Sequence, residues 1–276
     1  MSDLLFLQRK ATEIRIELLK MIYEAKTGHT GGSLSNTDIL TVLFYRIMNL
    51  DPSNPKWENR DRYVQSKGHA VESYWAILAD KGFFPKEELK TFSQFKSRLI
   101  GHPNNKVPGV EMNTGALGHG LSISVGMALA AKMDGKSYKV YTLMGDGEQA
   151  EGSVWEGAMA AAQYKLDNLV AIIDRNGLQI TGKTEEVMGI EPLGDKWRSF
   201  GWEVVEVDGN NIANLVEVFS NIPKTAGKPM MVIANTVKGR GISFAENVPE
   251  WHHHVPSQEE FEQAMKELTA QLEVLV

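Results

Sequence analysis

An α/β fold, a parallel sheet flanked by helices, is what this sequence predicts, and three observations predict it. Short apolar runs recur at 62–66, 139–144, 169–174, 202–207 and 230–237. Most are rich in β-branched residues and nearly continuous rather than alternating, which is how strands buried on both faces read. Segments with apolar residues at helical spacing separate them, and such alternation points to parallel strands joined by helical crossovers.

Each element follows in order. The first stretch, to about residue 26, opens "MSDLLFLQRKATEIRIELLK" and reads as an amphipathic helix. "TGHTGGSLSNTD", with its three glycines, interrupts it, and "DILTVLFYRIM" resumes helix. "DPSNPKWENRD", with two prolines, is a loop. Crossover helices are expected over 70–81, 121–132, 153–165 and 212–222. The end, "SQEEFEQAMKELTAQLEVL", is another helix, and Ser257 and Glu260 form a capping box at its start. No repeat, low-complexity segment or linker is visible, so residues 1–276 read as one domain with an N-terminal helical extension.

Composition narrows the function. The chain of 276 residues can bury a full core. It has no cysteine, which excludes a disulfide framework and any Cys-ligated metal. Net charge is −6 and no basic cluster exceeds two consecutive residues, which argues against a nucleic-acid or anionic-membrane surface. No apolar stretch approaches the length of a membrane span, and the N-terminus lacks the layout of a signal peptide. The expectation is a soluble cytoplasmic protein.

The densest signal is "LMGDGEQAEGSVWEGAMAAAQYKLDNLVAIIDRNGLQITG", residues 143–182. One apolar run ends in Gly-Asp-Gly and the next in Asp-Arg-Asn-Gly, with a helical stretch between. In open α/β sheets, ligands bind beyond the carboxyl ends of the strands. If the two strands are neighbours, Asp146 and Asn176 face one crevice. Gly145 and Gly147 remove bulk around Asp146, so a ligand can approach the backbone. A carboxylate, an amide oxygen and a nearby backbone carbonyl suit a hard cation such as Mg²⁺, commonly held together with ligand phosphates. The helix start at Glu151–Gly152 offers a positive dipole end for a diphosphate. Gly-Asp-Gly alone is also an ordinary turn, and "DRNG" could be half of a calcium loop, though a strand precedes it and the distal Glu is absent. "TGALGHGLS" does not match the G-x-G-x-x-G of nicotinamide sites.

Histidines gather in glycine-bearing or clustered contexts: His29, His69, His102, His119 and the run His252, His253 and His254. A surface-loop histidine is the plain reading of any one of them. Several on loops where strands end would supply hydrogen-bond partners and proton carriers near pH 7. Neighbouring histidines diverge and are poor joint ligands, so no zinc site is expected.

Together "GHTGGSLS", "RDRYVQSKGHA", "GHPN", "NTGALGHGLSISVGMALAAK", the Gly-Asp-Gly to Asn stretch and "KGRGISFAENVPEWHH" resemble the transketolases, in the same order, from about residue 20 to 256. The resemblance implies the thiamine diphosphate-binding fold of the family's N-terminal, diphosphate-binding domain. The chain ends where the pyrimidine-binding domain of a single-chain transketolase would begin, so it looks like the N-terminal subunit of a split enzyme. Carried over by motif, Asp146, Asn176 and the Leu178 carbonyl would bind Mg²⁺, with Ca²⁺ or Mn²⁺ as substitutes, and Gly147 would touch the diphosphate. Gly115, Ala116 and Leu117 match a cofactor-contacting loop in which the family often has Pro at the position of Ala116. His69 matches a histidine beside the cofactor, and His29 and His102 match histidines that meet the sugar. His252, with His253 as the alternative, matches a further histidine near the cofactor. Glu151 matches a glutamate that links paired active sites.

The activity so implied is transfer of a two-carbon ketol unit from a ketose phosphate to an aldose phosphate, as in the pentose phosphate pathway. The partner would be a C-terminal subunit carrying the pyrimidine-binding domain and a catalytic Glu, in an α2β2 heterotetramer. Two alternatives stand beside it: a specialised relative for another sugar phosphate, including a deoxyxylulose-phosphate-synthase-like chain, and a non-catalytic scaffold or regulatory subunit.

Overall fold

Among the described residues, 3–275 of this computed structural model, five strands form one parallel sheet. They are β1 (Arg62–Gln65), β2 (Val140–Gly145), β3 (Leu169–Arg175), β4 (Glu203–Asp208) and β5 (Met230–Asn235), in the order β1-β2-β3-β5-β4. The helices are α1 (Asp3–Ala25), α2 (Thr30–Ser35), α3 (Thr37–Val42), α4 (Glu72–Asp80), α5 (Gly120–Met133), α6 (Gly152–Gln163), α7 (Thr184–Val187), α8 (Leu193–Ser199), α9 (Ile212–Ser220) and α10 (Gln258–Val274).

The near-continuous apolar runs have the expected cause. On β2 and β3, Tyr141, Leu143, Val170 and Ile172 enter one buried cluster with α1, α3, α4, α9 and α10. Val140, Met144, Leu169, Ala171 and Ile173 enter the other, with α5, α6 and α8. Side chains alternate across a strand, so a strand covered on both faces reads as a nearly continuous apolar run. β1 and β4 are the edge strands, and β4 is only partly buried. The α1 helix feeds Leu7, Ile14, Leu18 and Ile22 into the first cluster.

The sequence reading is corrected at three segments. Thr30–Ser35 is a helix, buried throughout, where the glycines of "TGHTGGSLS" suggested a break. Gly32 lies against Ala70 and beside Lys67 and His69, so its lack of a side chain serves close packing there. Helical turns also occupy Thr184–Val187 and Leu193–Ser199, which the apolar pattern did not mark. The capping box of α10 is formed as expected, with the Ser257 hydroxyl accepting from the Glu260 N–H and the Glu260 carboxylate from the Ser257 N–H.

Candidate functional site

The sheet makes Asp146 and Asn176 neighbours. β2 pairs with β3 in parallel register, Gly145 opposite Asp174, so both chains leave the sheet side by side. Asp146 is buried, and its Oδ1 accepts from the Gly147 N–H at 2.8 Å. Its Oδ2 accepts from the Gly177 N–H at 2.7 Å and the Thr184 hydroxyl at 3.1 Å. The carboxylate therefore locks the end of one strand to the turn after the next. That turn is a tight hairpin in which Leu178 bridges Lys183 and the Gln179 N–H donates to Gly182 at 2.8 Å. Asn176 Oδ1 accepts from the Leu178 N–H at 3.2 Å.

Two buried lysines complete this floor. Lys238 Nζ donates to the Leu178 carbonyl at 3.2 Å and lies 2.9 Å from His252 Nδ1. Burial, then the nearby Lys67, lowers its pKa to about 8, while Asp146 and Asp174 act the other way. Lys67 pairs with Asp174 at 2.5 Å, both almost without exposure, and Asp174 also accepts from Ser35 at 2.6 Å and from Thr236. The sequence reading missed both lysines. A lysine reads as surface unless its partner is known, and the only available signal was their setting in "SKGHA" and "VKGRG".

A crevice of about 460 Å³ rises from this floor, with His29, Lys67, Asp146, Asn176, Lys238 and His252 among its walls. A wider groove of about 980 Å³ lies beyond β4 and β5, near Asp208, Asn235 and Arg240. It is larger but holds none of the candidate site residues, so the narrower crevice is the candidate site.

The opposite wall is imidazole: His29, His69 and His252 line the crevice, and His102 and His253, which do not, are packed around His29. The His29 ring lies 4.5 Å from His253, 5.2 Å from His69, 5.7 Å from His252 and 6.3 Å from His102, centre to centre. His69 and His252 stack at 5.3 Å. Burial, then neighbouring imidazoles and lysines, lowers His29 to about 4. Burial and Lys67 lower His69 to about 2, and burial and Lys238 lower His252 to about 3. Burial lowers His102 as well. His29, His69 and His252 are thus neutral at pH 7, each ring offering one donor and one acceptor.

The triple histidine separates by direction. His252 lines the crevice, His253 is exposed over His29, and His254 turns away, bonding Glu260 at 2.9 Å and packing on Trp251. Gly115 and Leu117 line the crevice, while Ala116 between them does not. Gly115 has φ +138°, and a Cβ there would sit 2.5 Å from His102 Cδ2, so glycine lets this loop lie against the ring. The loop is fastened by Glu148, a buried carboxylate unnoticed in the sequence, which accepts from Ser66, from the Gly118 N–H at 2.8 Å and from the Gly145 N–H at 3.1 Å. Glu151 is exposed and outside the crevice, and the turn Gly147–Ala150 stands between the crevice and the start of α6. Neither Glu151 nor Gly152 lines the crevice, whereas Gly147 and Glu148 of that turn do.

These groups fit an anionic diphosphate. Two ammonium groups face it, Gln179 Nε2 is buried without a partner among the described residues at its edge, and Gly145 leaves open space where a Cβ would be. Among the described residues no three His, Asp or Glu side chains are arranged to hold a metal. The oxygens of Asn176 and of the Leu178 backbone lie outside that class of ligand. No helix among the described residues is long and apolar enough to cross a membrane.

Comparison with known proteins supplies the family. Residues 7–273 match the family model described as transketolase, thiamine diphosphate binding domain. The chain is 51% identical over 269 residues to an apulose-4-phosphate transketolase subunit from Phocaeicola vulgatus, covering 98% of this chain and 96% of that one. It is 44% identical to a 6-deoxy-6-sulfo-D-fructose transketolase subunit of a Clostridium species, covering 95% and 96% of the two. The crystal structure of Campylobacter jejuni transketolase superposes with a TM-score of 0.91 at 31% identity, covering all of this chain and 46% of the longer one. The chain belongs to the transketolase family, and it corresponds to that family's thiamine diphosphate binding domain.

Proposed function

We propose that this chain is the thiamine diphosphate-binding subunit of a split transketolase that moves a two-carbon ketol unit from a specialised ketose to an aldose phosphate. The observation that carries this reading is one crevice whose floor holds two buried lysines and clustered oxygen atoms and whose wall is made of imidazoles. The cofactor's diphosphate would lie on the floor against Lys238 and the backbone around Gly147. Asp146, Asn176 and the Leu178 carbonyl would hold Mg²⁺, since their oxygens are the hard donors present. Ca²⁺ or Mn²⁺ would serve in its place.

When bound, thiamine diphosphate supplies the carbanion centre and the electron sink that breaking a carbon–carbon bond requires. The chain's own residues do the rest. His69 and His252, at the crevice wall, would flank the cofactor. His29 and His102 would hydrogen-bond sugar hydroxyls and pass protons to and from them, a task for neutral imidazoles that can both give and accept. Gly115, Ala116 and Leu117 would close over the ring. Glu151, outside the crevice and exposed, would face a second active site across a contact between subunits.

Substrate choice is read from the relatives. Two named for specialised sugars match along nearly their whole length, which favours an apulose-type branched ketose phosphate over the common pentose phosphates. The partner would be a C-terminal subunit bringing the pyrimidine pocket and its catalytic glutamate, in an α2β2 assembly. The test mixes this chain with the C-terminal subunit, thiamine diphosphate and Mg²⁺, and measures ketol transfer from apulose 4-phosphate and from an unbranched ketopentose phosphate. Transfer from the branched donor only with both chains present is expected. Transfer by this chain alone would reject the split reading, and preference for the unbranched donor would reject the substrate. A scaffold subunit, the second reading, would leave the cofactor unbound in the assembly.

A further inference from the structure

We infer that Glu72 is the positioning residue of the histidine wall: a buried carboxylate that fixes His29 from behind. Glu72 opens α4, has no exposure, and sits in a helix buried as far as Ala79. A carboxylate in that setting needs donors, because burial disfavours its charge. Its donors are the backbone N–H of His29, at 2.8 Å to Oε1, and the hydroxyl of Ser33, at 2.6 Å to Oε2.

Both belong to the start of α2. His29 is the N-cap residue, and its side chain makes no capping bond, leaving the imidazole free for the crevice. In a capping box, the third helical residue reaches back to the N-cap N–H with its own carboxylate or amide. Here the third residue is Gly32, which has no side chain to send. Glu72 supplies that acceptor from another helix. Gly28 makes the approach possible, because a Cβ there would lie 2.8 Å from Glu72 Oε1 and 2.6 Å from Ile22.

The other end of α2 is tied to the same helix start. Asn36 Oδ1 accepts from Ser73 at 2.6 Å, and Asn36 Nδ2 donates to the Ala70 carbonyl at 3.4 Å. His69 lies three residues before Glu72 on that segment. The spacing of the His29 and His69 rings is therefore set by one unit, in which Glu72 holds the His29 end. His29 touches four other imidazoles, so a shift of its backbone disturbs the whole wall. The consequence for sugar binding rests on the transferase reading above, whereas the positioning of the ring does not.

The experiment has two arms. In the isolated chain with labelled histidine, ring-proton cross-peaks of His29 with His253 and His69 are recorded, with Trp197–Trp202 cross-peaks on the far sheet face as a control of the fold. Glu72→Ala should lose the His29 cross-peaks and keep the control. Glu72→Gln, which retains an acceptor for His29 and can donate to Ser33, should keep both. In the assembled enzyme, Glu72→Ala should raise KM for the ketose donor by about tenfold or more while cofactor Kd stays within about twofold, and Glu72→Gln should restore KM. If Glu72→Ala does not fold, Glu72→Met, of similar length without an acceptor, replaces it. Retained His29 cross-peaks in a folded variant lacking the acceptor would overturn the assignment, as would equal loss of cofactor and donor affinity. A Glu72→Met chain that also fails to fold would overturn it too, by placing Glu72 in the stability of the whole domain. A wild-type assembly without ketol transfer but with intact His29 cross-peaks would sink the transferase reading and leave the positioning role standing.

Discussion

The floor and the histidine wall of the crevice are built on opposite plans. On the floor, Asp146 accepts from three donors and the Leu178 carbonyl faces Lys238. On the wall, the rings of His29, His69, His102 and His253 make no hydrogen bond to any described residue. The floor is held by satisfied polar groups, which rigidify and specify one geometry. The wall is held by packing and backbone ties, which leaves the polar ends of its rings for a ligand. The difference teaches how binding and chemistry would divide on the proposed reading: pre-paired floor groups would seat the diphosphate, and unpaired imidazoles would be left for the rest of the cofactor and the substrate hydroxyls.

The largest effect should come from breaking the wall alone. His102→Ala removes a ring that contacts the Gly115 loop but no floor residue. In the assembled enzyme kcat/KM should fall by about 10²–10⁴, the usual worth of an acid–base or hydroxyl contact. Thiamine diphosphate affinity should be nearly unchanged. Steady-state kinetics beside a cofactor titration check this, and wild-type kcat/KM would remove His102 from the site. His69→Ala should instead weaken cofactor retention.

Breaking the floor should show the converse. Asp146→Ala strands the Gly177 N–H and the Thr184 hydroxyl as well as removing the carboxylate proposed for Mg²⁺. Cofactor affinity in the presence of Mg²⁺ should fall at least about tenfold, roughly 1.4 kcal/mol. A turn aspartate would cost stability only, so unchanged cofactor affinity with a lowered Tm would return Asp146 to that plain role.

Acid should reach the wall before neutral pH does any harm. His29, His69 and His252 have folded pKa values of about 4, 2 and 3, below the unfolded value of about 6.5. The unfolded chain then binds more protons below pH 6.5, so stability contributed by the neutral rings is complete above that value and is lost as pH falls toward the folded values. Buried Glu72, Glu148 and Asp146, whose pKa values burial raises, act in the opposite sense. A variant isolates the histidine part: the Tm of His69→Asn relative to wild type should improve steadily from pH 6.5 to pH 5. A flat difference would mean that His69 is protonated in the folded chain.

How much of this was legible in the sequence depended on whether a residue's role is local. Strands showed because β2, but for Thr142, and β3 over residues 169–173 are continuously apolar, and the cap of α10 showed because Ser257 and Glu260 lie three residues apart. Asp146 and Asn176 showed because glycines mark strand ends. Lys67, Glu72, Glu148 and Lys238 did not show. Each is a charge whose burial is compensated by residues far along the chain, Asp174 for Lys67 and His29 for Glu72. Nothing in the neighbouring sequence announces such a partner. The helix over Thr30–Ser35 was hidden for the same reason, since Glu72 and close packing hold a glycine-rich segment that propensity alone would leave as loop.

The smallest expected effect sharpens the comparison within three consecutive residues. His252 is the wall ring tied to the floor through Lys238, His253 packs on the wall through His29, and His254 belongs to neither. His254 Nε2 lies 2.9 Å from Glu260 and its ring packs 4.4 Å from Trp251, on the side of α10. Its partner Glu260 also serves the capping box of α10, and the His254 contact holds that carboxyl below its ordinary value. His254→Gln should therefore lower Tm slightly, because an exposed pair of this kind is worth about 0–1 kcal/mol. It should leave both cofactor affinity and ketol transfer within about twofold of wild type, a bound set by the same small energy. His253→Gln, one residue away, should leave Tm unchanged and raise donor KM. If instead His254→Gln impairs turnover and His253→Gln does not, the run turns in the opposite sense in the assembled enzyme, and the wall loses the ring nearest to His29.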